Sequence, residues 1–418
     1  WLKTTEGAVD EAVSVITDLY AYCEQGATDS YSPSERSTLA ESLNKLRDAY
    51  YAEGDVEYAG RYLFSGYMTD TPLTYQSDET AAKADFTITQ EFTRENIELK
   101  TVYTNAYSND DILNLNVKTD AATGNVITPN VADVHRVRIG YTKVSDAGTF
   151  EIKLNDGTTI AAAAVNDSNY QPGDDEAAFN AATGEILLGE NVYKQLYASD
   201  GFSFTYRKDN FAKGDLNPVM YYDCVDNNPD NAGVVYTKKT EDIEYNINFS
   251  QKLKVNTEAN EVFNMYLGRD IDDLITSVNN VIDIEAQLEK VEGMLKQDIY
   301  SDKDSQSKLN SIKEGLTKQN ELAKEEMKNR FEYCVGTMQG YQEQASLAKA
   351  DAGNRMTRLN LTKSRLTEQK TNFTNLKSEN EDIDLEEVVV GYSAAQLVYN
   401  ASLTAASKVI QQTLLDFL

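Results

Sequence analysis

The sequence is short of the residues from which catalytic and metal sites are usually built. Its 418 residues include one histidine, His135, and three cysteines, Cys23, Cys224 and Cys334. One histidine excludes a histidine-rich metal site, no HExxH motif occurs, and cysteines so widely spaced form neither a CxxC motif nor a disulfide framework. We therefore expect the cysteines to be small core residues, and we expect no metal, no cofactor and no enzymatic activity.

Basic charge, proline and long apolar runs are also scarce. Lysine and arginine number 39 against 68 aspartates and glutamates, which gives a net charge of −29. A chain this acidic repels nucleic-acid phosphates and anionic lipid, so we expect neither nucleic acid nor membrane as a partner. No apolar run is long enough to predict a transmembrane helix, and no signal peptide is apparent. The chain opens on Trp1, already in a helical repeat, which suggests a fragment that lacks an N-terminal part of the native protein.

Both ends of the chain carry the repeat of amphipathic helices. Residues 1–25 are predicted to form one helix, because Val9, Ile16 and Cys23 recur every seven residues. A second helix is predicted from Ser32, whose side chain can form a capping box with Glu35. From about residue 256 the pattern is helical again, with heptad spacing over 274–295 and 359–373.

One interruption is expected in the C-terminal helical region, and a second position is left open. Residues 301–305 combine a break with capping residues. Residues 351–354 include Gly353, and the sequence leaves open whether they form a joint or lie within one continuous helix.

The stretch Gly60–Gly66, with the sequence Gly-Arg-Tyr-Leu-Phe-Ser-Gly, lies between the first helices and a β-rich region. Tyr62 and Phe64 alternate with Arg61 and Leu63, which predicts a short strand with turns at its two glycines. We interpret it as the entry from a helical stalk into an inserted β domain. An ordinary hairpin that caps a helix bundle is the alternative.

Residues 86–250 alternate between apolar and polar positions and are punctuated by turn sequences such as Asn155-Asp156-Gly157. This spacing predicts an antiparallel sandwich or meander. The predicted strands are Phe86–Ile88, Arg136–Tyr141, Phe150–Leu154, Thr158–Val165, Glu185–Leu188, Phe202–Tyr206, Val219–Tyr222, Val234–Thr237 and Ile243–Phe249.

The last helix, predicted over 384–418, is apolar on nearly every side and carries few charges after Glu387. Such a helix is buried, either in the core of its own chain or against a partner. We predict that it packs in an assembly, with a plain intramolecular core helix as the alternative. The predicted contact residues follow a three-four spacing: Tyr392, Tyr399, Leu403, Ile410 and Phe417. Charged substitutions at Leu403 and Ile410 should therefore block assembly but leave the β domain folded.

These patterns together predict an α+β fold. A long-helix bundle or coiled-coil stalk is built from both chain ends, and an antiparallel β domain is inserted between them. The expected domains are the N-terminal stalk with a β-hairpin (1–75), the β-rich insert (76–250), the long C-terminal stalk helices (251–383) and the assembly helix (384–418).

Several of these stretches resemble the flagellin superfamily, and most of all its hook–filament junction group, hook-associated protein 3. The matching hairpin residues are Gly60, Arg61, Tyr62, Phe64 and Gly66, followed by Thr-Asp-Thr-Pro-Leu at 69–73. The final Leu-Leu-Asp-Phe-Leu, 414–418, looks like the ending of that family. The resemblance covers about 1–75 and 240–418.

The resemblance implies a secreted, non-enzymatic structural subunit of the bacterial flagellum, self-assembling and required for motility. Proteins of this group lie in the flagellar axis outside the cell and are exported without a cleaved signal peptide. The implied partners are further copies of the chain in a ring, the first hook-associated protein, flagellin and an export chaperone.

The chain departs from the family in two places. The helical return over 256–383 is longer, which suggests an extra helical hairpin near 300–350, and the N-terminal segment that pairs with the last helix is absent. Two alternatives stay open. The chain is also consistent with flagellin itself, the filament subunit, or with a secreted adhesin or glycan-binding protein that uses its tyrosine-rich β region.

Overall fold

The computed structural model describes residues 1–27, 31–240, 242–382 and 384–412, and the side chains of the last helix as far as Val409. Two compact units divide the chain. The first comprises Trp1–Asn246 and Lys252–Met356, and the second comprises Ile247–Gln251 with the described residues from Thr357 onward. Long helices from both chain ends and a predominantly antiparallel sheet between them confirm the predicted α+β class.

The described residues form nine α-helices and twelve strands. The helices are α1 Leu2–Gly26, α2 Pro33–Ala52, α3 Asp78–Ala82, α4 Asn109–Leu113, α5 Glu190–Ala198, α6 Ala259–Val262, α7 Met265–Leu295, α8 Lys303–Glu381 and α9 Leu385–Gln412. The strands are β1 Phe86–Phe92, β2 Ile97–Thr104, β3 Asn130–Arg138, β4 Phe150–Leu154, β5 Thr159–Ala164, β6 Ala177–Asn180, β7 Glu185–Leu188, β8 Phe202–Lys208, β9 Asp223–Asp226, β10 Val235–Tyr236, β11 Glu244–Asn248 and β12 Gln251–Lys254.

The helical part of the first unit follows the sequence closely. Val9, Ile16 and Cys23 are fully buried along α1, as their seven-residue spacing predicts. The capping box at the start of α2 is present: Ser32 Oγ accepts a hydrogen bond from the Glu35 amide, and the Glu35 carboxylate accepts one from the Ser32 amide at 2.7 Å. α2 packs against α1 and α7, so segments from both ends of the chain share one core.

Helix α8 continues without a break through residues 351–354, where the sequence leaves open a joint or a continuous helix. Gly353 lies inside it, and a Cβ there would come no closer than 3.4 Å to the Glu6 carboxylate. A glycine within a helix costs only about 1 kcal/mol, so a long helix that packs along one face continues through it. The connection between α7 and α8 spans residues 296–302, with a short 3₁₀ turn at Asp298–Tyr300, so it overlaps the predicted break at 301–305 only at 301–302.

Ten strands form one sheet in the order β10-β9-β1-β8-β4-β5-β6-β7-β3-β2, and β11 and β12 form a separate two-stranded sheet. Every pairing whose register is known is antiparallel except β5 with β6, which is parallel. The prediction of a sandwich or simple meander is therefore wrong. One sheet curls over its own core instead: Gln90 of β1 accepts a hydrogen bond at 3.0 Å from the Gly140 amide, just beyond β3.

Other strand predictions fail at identifiable places. Val219–Tyr222 is not a strand, because Pro218 opens a 3₁₀ turn whose first amide hydrogen bond is accepted by the Asn217 side chain. The edge strand β2 was missed because most of its residues are half-exposed, which hides the alternation that identifies a strand.

The Gly60–Gly66 stretch is a compact loop and not a strand. A tight turn leads into it and includes its first residue: Ala59 and Gly60 both have positive φ, and one isolated bridge pairs Glu57 with Tyr62. Leu63 and Phe64 are adjacent and both buried, so the predicted alternation is wrong. Tertiary contacts decide here, since neighbouring residues of a loop can point into two parts of the same core.

Candidate assembly surface

Helix α9 begins at a well-defined cap and then carries few charged residues. Asp384 accepts a hydrogen bond from the Glu386 amide at 2.9 Å, as an N-cap aspartate does. Within Leu385–Gln412 the only charged residues are Glu386, Glu387 and Lys408. The sequence therefore forms a long helix that has almost no charged face for water to solvate.

Every residue of α9 whose side chain is described is exposed. The predicted contact residues Tyr392, Tyr399 and Leu403 are 69%, 64% and 52% exposed. Ile410 belongs to the helix, but its side chain and the whole of Phe417 lie outside the described residues. Further exposed apolar residues surround the three on the helix, namely Leu385, Val388, Val389, Val390, Leu397, Val398 and Val409.

An apolar patch of this kind is unusual on a soluble monomer. Burying a single valine or leucine side chain is worth about 1.5–3 kcal/mol, so a helix that leaves eight such side chains and two tyrosines in water forgoes a large stabilisation. Large exposed apolar patches mark protein–protein or membrane contact sites. No helix of the described chain is long and apolar enough to cross a membrane.

The second unit also contains the C-terminal part of α8, which is exposed in the same way. Leu361, Phe373 and Leu376 are all more than half exposed. Unlike the apolar residues of α9, these three residues of α8 are separated from one another by lysines, glutamates and threonines. The charge-poor apolar surface is therefore concentrated on α9.

The hairpin residues singled out by the sequence belong to a different, buried structure. Phe64 packs edge-on against Phe263, with 5.0 Å between the ring centroids, and its carbonyl accepts a hydrogen bond from the Ala259 amide. Arg61 and Gly60 are exposed, Tyr62 is half-buried, and Gly66 adopts a positive φ. This segment ties the end of α2 to the start of α7.

Two tyrosines complete that joint. The Tyr50 hydroxyl donates to the Val262 carbonyl at 2.8 Å and accepts from the Asn264 amide at 3.0 Å. The Tyr51 hydroxyl accepts from the Gly268 amide at 2.9 Å. Burial raises the pKa of both hydroxyls, so they remain neutral hydrogen-bonding groups. They therefore hydrogen-bond backbone groups at the end of α6 and the start of α7.

A buried ionic cluster joins the sheet to α7, and the sequence did not predict it. Arg136 of β3, only 2% exposed, donates to Glu185 at 2.5 Å, to Asp273 at 2.6 Å and to Glu98 at 3.2 Å. Arg138, two residues along the same strand, donates to Glu98 at 2.7 Å and to Asp273 at 3.3 Å. Residues two apart lie on one face of a strand, so both guanidiniums reach the same carboxylates.

The cluster continues onto α8. Asp270 accepts from Arg138 at 2.8 Å and from the Tyr341 hydroxyl at 2.8 Å. Burial raises the pKa of Asp270 despite these partners. Burial would also raise the pKa of Asp273, but the guanidiniums of Arg136 and Arg138 outweigh it and hold that pKa below its usual range.

A signal for this cluster does exist in the sequence. Asp270 falls between Leu267, Ile271 and Leu274 on the buried side of α7, where an apolar residue would be expected. A charge on an apolar stripe indicates a buried partner, but it does not identify which strand supplies that partner. In the described part of the chain, no three or more histidine, cysteine, aspartate or glutamate side chains are placed so that they could hold a metal ion.

Comparison with known proteins gives matches at the level of structure alone. No family model matches the chain, and no curated protein sequence matches it significantly. It is similar to a crystal structure of FlgL from Xanthomonas campestris, with 13% identity, a TM-score of 0.33, and 90% of this chain and 93% of that one covered. It is also similar to the flagellar junction protein FlgL from Legionella pneumophila, with 12% identity, a TM-score of 0.26, and coverage of 86% and 91%. A third similar structure is that of flagellar hook associated protein-3 from Legionella pneumophila, with 11% identity, a TM-score of 0.22, and coverage of 88% and 92%.

Proposed function

We propose that the chain is a structural, non-catalytic subunit of the bacterial flagellum, which joins the hook region to the filament and assembles through helix α9. The observation that carries this proposal is the exposure of α9, whose described side chains all face solvent although most of them are small or apolar. The junction role comes from the resemblance of Gly60–Gly66 and of residues 414–418 to hook-associated protein 3.

A helix with this composition gains most of its stability from burial. An isolated helix is only marginally stable in water, and packing of an apolar face supplies most of the stabilisation. Tyr392, Tyr399 and Leu403 lie one or two turns apart along α9, as contacts along one side of a helix require. Copies of the same helix offer each other complementary apolar surface, so self-association in a ring would bury it.

The first unit suits a mechanical role. The ionic cluster around Arg136 connects its sheet to its helices, and the tyrosine joint at Tyr50 and Tyr51 connects α2 to α6 and α7. Buried, mutually hydrogen-bonded groups resist displacement, because moving one leaves its partners unsatisfied. A subunit that transmits torque benefits from such rigid connections.

The remaining parts of the proposal follow the resemblance. The protein would lie in the extracellular flagellar axis, reach it by export without a cleaved signal peptide, and meet the first hook-associated protein on one side and flagellin on the other. An export chaperone that covers α9 before assembly would prevent premature association in the cell.

Immunogold electron microscopy of flagella isolated from the source bacterium tests the location. An antibody raised against the first unit should label a single band between hook and filament. Label along the whole filament would instead identify a filament subunit. Intact flagella without any label would refute the proposal and favour the alternative of a secreted adhesin.

Substitutions within α9 test the assembly surface. Tyr399→Glu with Leu403→Glu should remove the protein from isolated flagella, because two carboxylates would have to be buried in the contact. The matched control is Asn400→Glu with Thr404→Glu, which adds the same charge with the same spacing at exposed polar positions. We expect the control to be incorporated at a clearly higher level, measured by immunoblot of purified flagella. Equal incorporation of both variants, with unchanged circular dichroism, would contradict a role for this face.

A further inference from the structure

Two of the three cysteines lie opposite each other in the helical core. Cys23 is in the last turn of α1, Cys334 is in α8, and both are almost completely buried. Cys224 is in β9 of the sheet. All three are free thiols in the structure.

The register of α1 along α8 places the two helical cysteines together. Gln342 donates to the Thr17 hydroxyl at 2.8 Å, and Lys349 pairs with Asp10. Each step along α1 toward its C-terminus therefore meets α8 at a correspondingly earlier residue, as in an antiparallel pair. The same register continued by about two turns brings Cys23 opposite Cys334.

Direct contacts confirm this register. On one side of the cysteines, about one turn away, Gln339 of α8 donates to the Tyr20 hydroxyl of α1 at 3.4 Å. On the other side, a Cβ built at Gly26 would fall 2.0 Å from the Phe331 ring, so the two helices approach closely at this end. Disulfide formation needs thiols that face each other, and contacts between α1 and α8 on both sides of the pair place Cys23 opposite Cys334.

We infer that Cys23 and Cys334 form a disulfide bond that links α1 to α8 once the folded chain meets a small-molecule disulfide. Cys23 lies nearest the end of α1, so transient opening of that helix end exposes it first. Its thiolate attacks the small disulfide, which forms a mixed disulfide and releases one small thiol. The Cys334 thiolate then attacks the Cys23 sulfur and releases the second small thiol. Two protein thiols are oxidised and one small disulfide is reduced.

The reaction in the native state is slow for a physical reason. The neighbouring Cys23 side chain and burial both raise the pKa of the Cys334 thiol, so little of the reactive thiolate is present. Exposure of the pair is therefore the rate-limiting event. The bond would join residues far apart in sequence, and cross-links that close long loops restrict the unfolded chain most.

Oxidised glutathione is the probe for the test. The full chain, fully reduced, is incubated with it and then unfolded in N-ethylmaleimide. We expect alkylation to fall from three thiols to one, with a loss of about 2 Da from the alkylation-corrected mass because two hydrogens leave. Tryptic mapping without reductant should recover the Cys23 and Cys334 peptides joined. The midpoint of urea unfolding should rise relative to the reduced protein.

Three variants complete the design. Cys224→Ala should oxidise as the wild type does and end with no free thiol. Cys334→Ala should stop at the glutathione adduct on Cys23, and Cys23→Ala should not form the bond. Sub-denaturing urea should accelerate the wild-type reaction, and refolding in oxidised glutathione should complete it. Three alkylatable thiols after refolding in that buffer, or a bond that involves Cys224, would overturn the inference.

Discussion

Replacing Arg136 with methionine tests whether the buried ionic cluster holds the sheet against the helices. The substitution keeps an unbranched side chain of similar length but removes a guanidinium that serves three carboxylates. Breaking a buried ion pair by removing one partner costs about 3–5 kcal/mol, because the other charge stays buried without compensation.

The remaining contacts place the expected loss at the lower end of this range. Glu185 keeps Lys100 at 2.6 Å, and Glu98 and Asp273 keep Arg138. No carboxylate is left without a cation, so we expect Arg136→Met to lower the free energy of unfolding by about 3 kcal/mol.

Arg207 on β8 provides a matched control in the same sheet. Its side chain is 49% exposed and pairs with Asp85. Exposed pairs contribute about 0–1 kcal/mol, so Arg207→Met should change stability by no more than that. The two variants lose the same charge and gain the same side chain, and they differ mainly in burial.

Urea unfolding, followed by far-ultraviolet circular dichroism and by fluorescence of Trp1, measures both variants. Trp1 is the single tryptophan and packs edge-on near Tyr58, so it reports on the helical end, whereas circular dichroism reports on the whole chain. Coincident transitions allow the free energies to be compared directly. A loss below about 1 kcal/mol for Arg136→Met, or an equal loss in both variants, would refute the reasoning.

Two further predictions concern the long helix and the response to acid. Gly336→Ala in α8 should stabilise the protein by about 0.5–1 kcal/mol, because nothing lies within 4 Å of the new Cβ. Gly315→Ala in the same helix should destabilise the protein, because that Cβ would lie 2.2 Å from a tyrosine ring. Thermal unfolding distinguishes the two variants, and a loss of stability in both would contradict the packing of α8. Asp273 has a lowered pKa in the folded state, so the stability it contributes is present above its unfolded pKa of about 3.9 and is lost as the pH falls further. The Asp273→Asn variant has no such charge to lose, so its free energy of unfolding should decline less steeply between about pH 4 and pH 2. The two slopes should differ by up to about 1.4 kcal/mol per pH unit. Parallel curves of stability against pH for wild type and variant would exclude this role of Asp273.

The elements that the sequence predicted well are those with local causes. The capping box at Ser32 depends on residues three apart, and the buried stripe of α1 depends on a repeat within one helix. Strand β4, Phe150–Leu154, has a strict alternation of buried and exposed residues and was predicted at its observed bounds. In each case neighbouring residues carry all the information that the structure uses.

The failures have non-local causes. Leu63 and Phe64 are both buried because the loop packs against the segment Ala259–Phe263, where Phe64 contacts the Phe263 ring and the Ala259 amide, and no alternation within the loop can reveal this. The curl of the sheet depends on pairing between strands far apart in sequence, as when β8 joins β1 and β4. Asp270 could be identified as out of place on its helix, but Arg138 could be identified as its partner only in the folded chain.

The candidate site was predictable for a related reason. The scarcity of charge along α9 is a local property, and it correctly indicated a helix without a polar face. Which partner covers that helix depends on another molecule, and the sequence of one chain does not show how that partner aligns with α9. The assignment of Tyr392, Tyr399 and Leu403 to a contact therefore remains a prediction, whereas their exposure is observed.

The distribution of charge along the chain favours self-association through α9 over self-association through its acidic parts. The chain carries a net charge of −29, of which α9 contributes one negative charge. Approach of two copies through their acidic bodies is opposed by repulsion, which acts over about 8 Å at physiological ionic strength. Approach through α9 meets almost no charge and removes apolar surface from water. The same composition that leaves this helix without a solvated face therefore also lowers the electrostatic cost of the self-association that we propose for it.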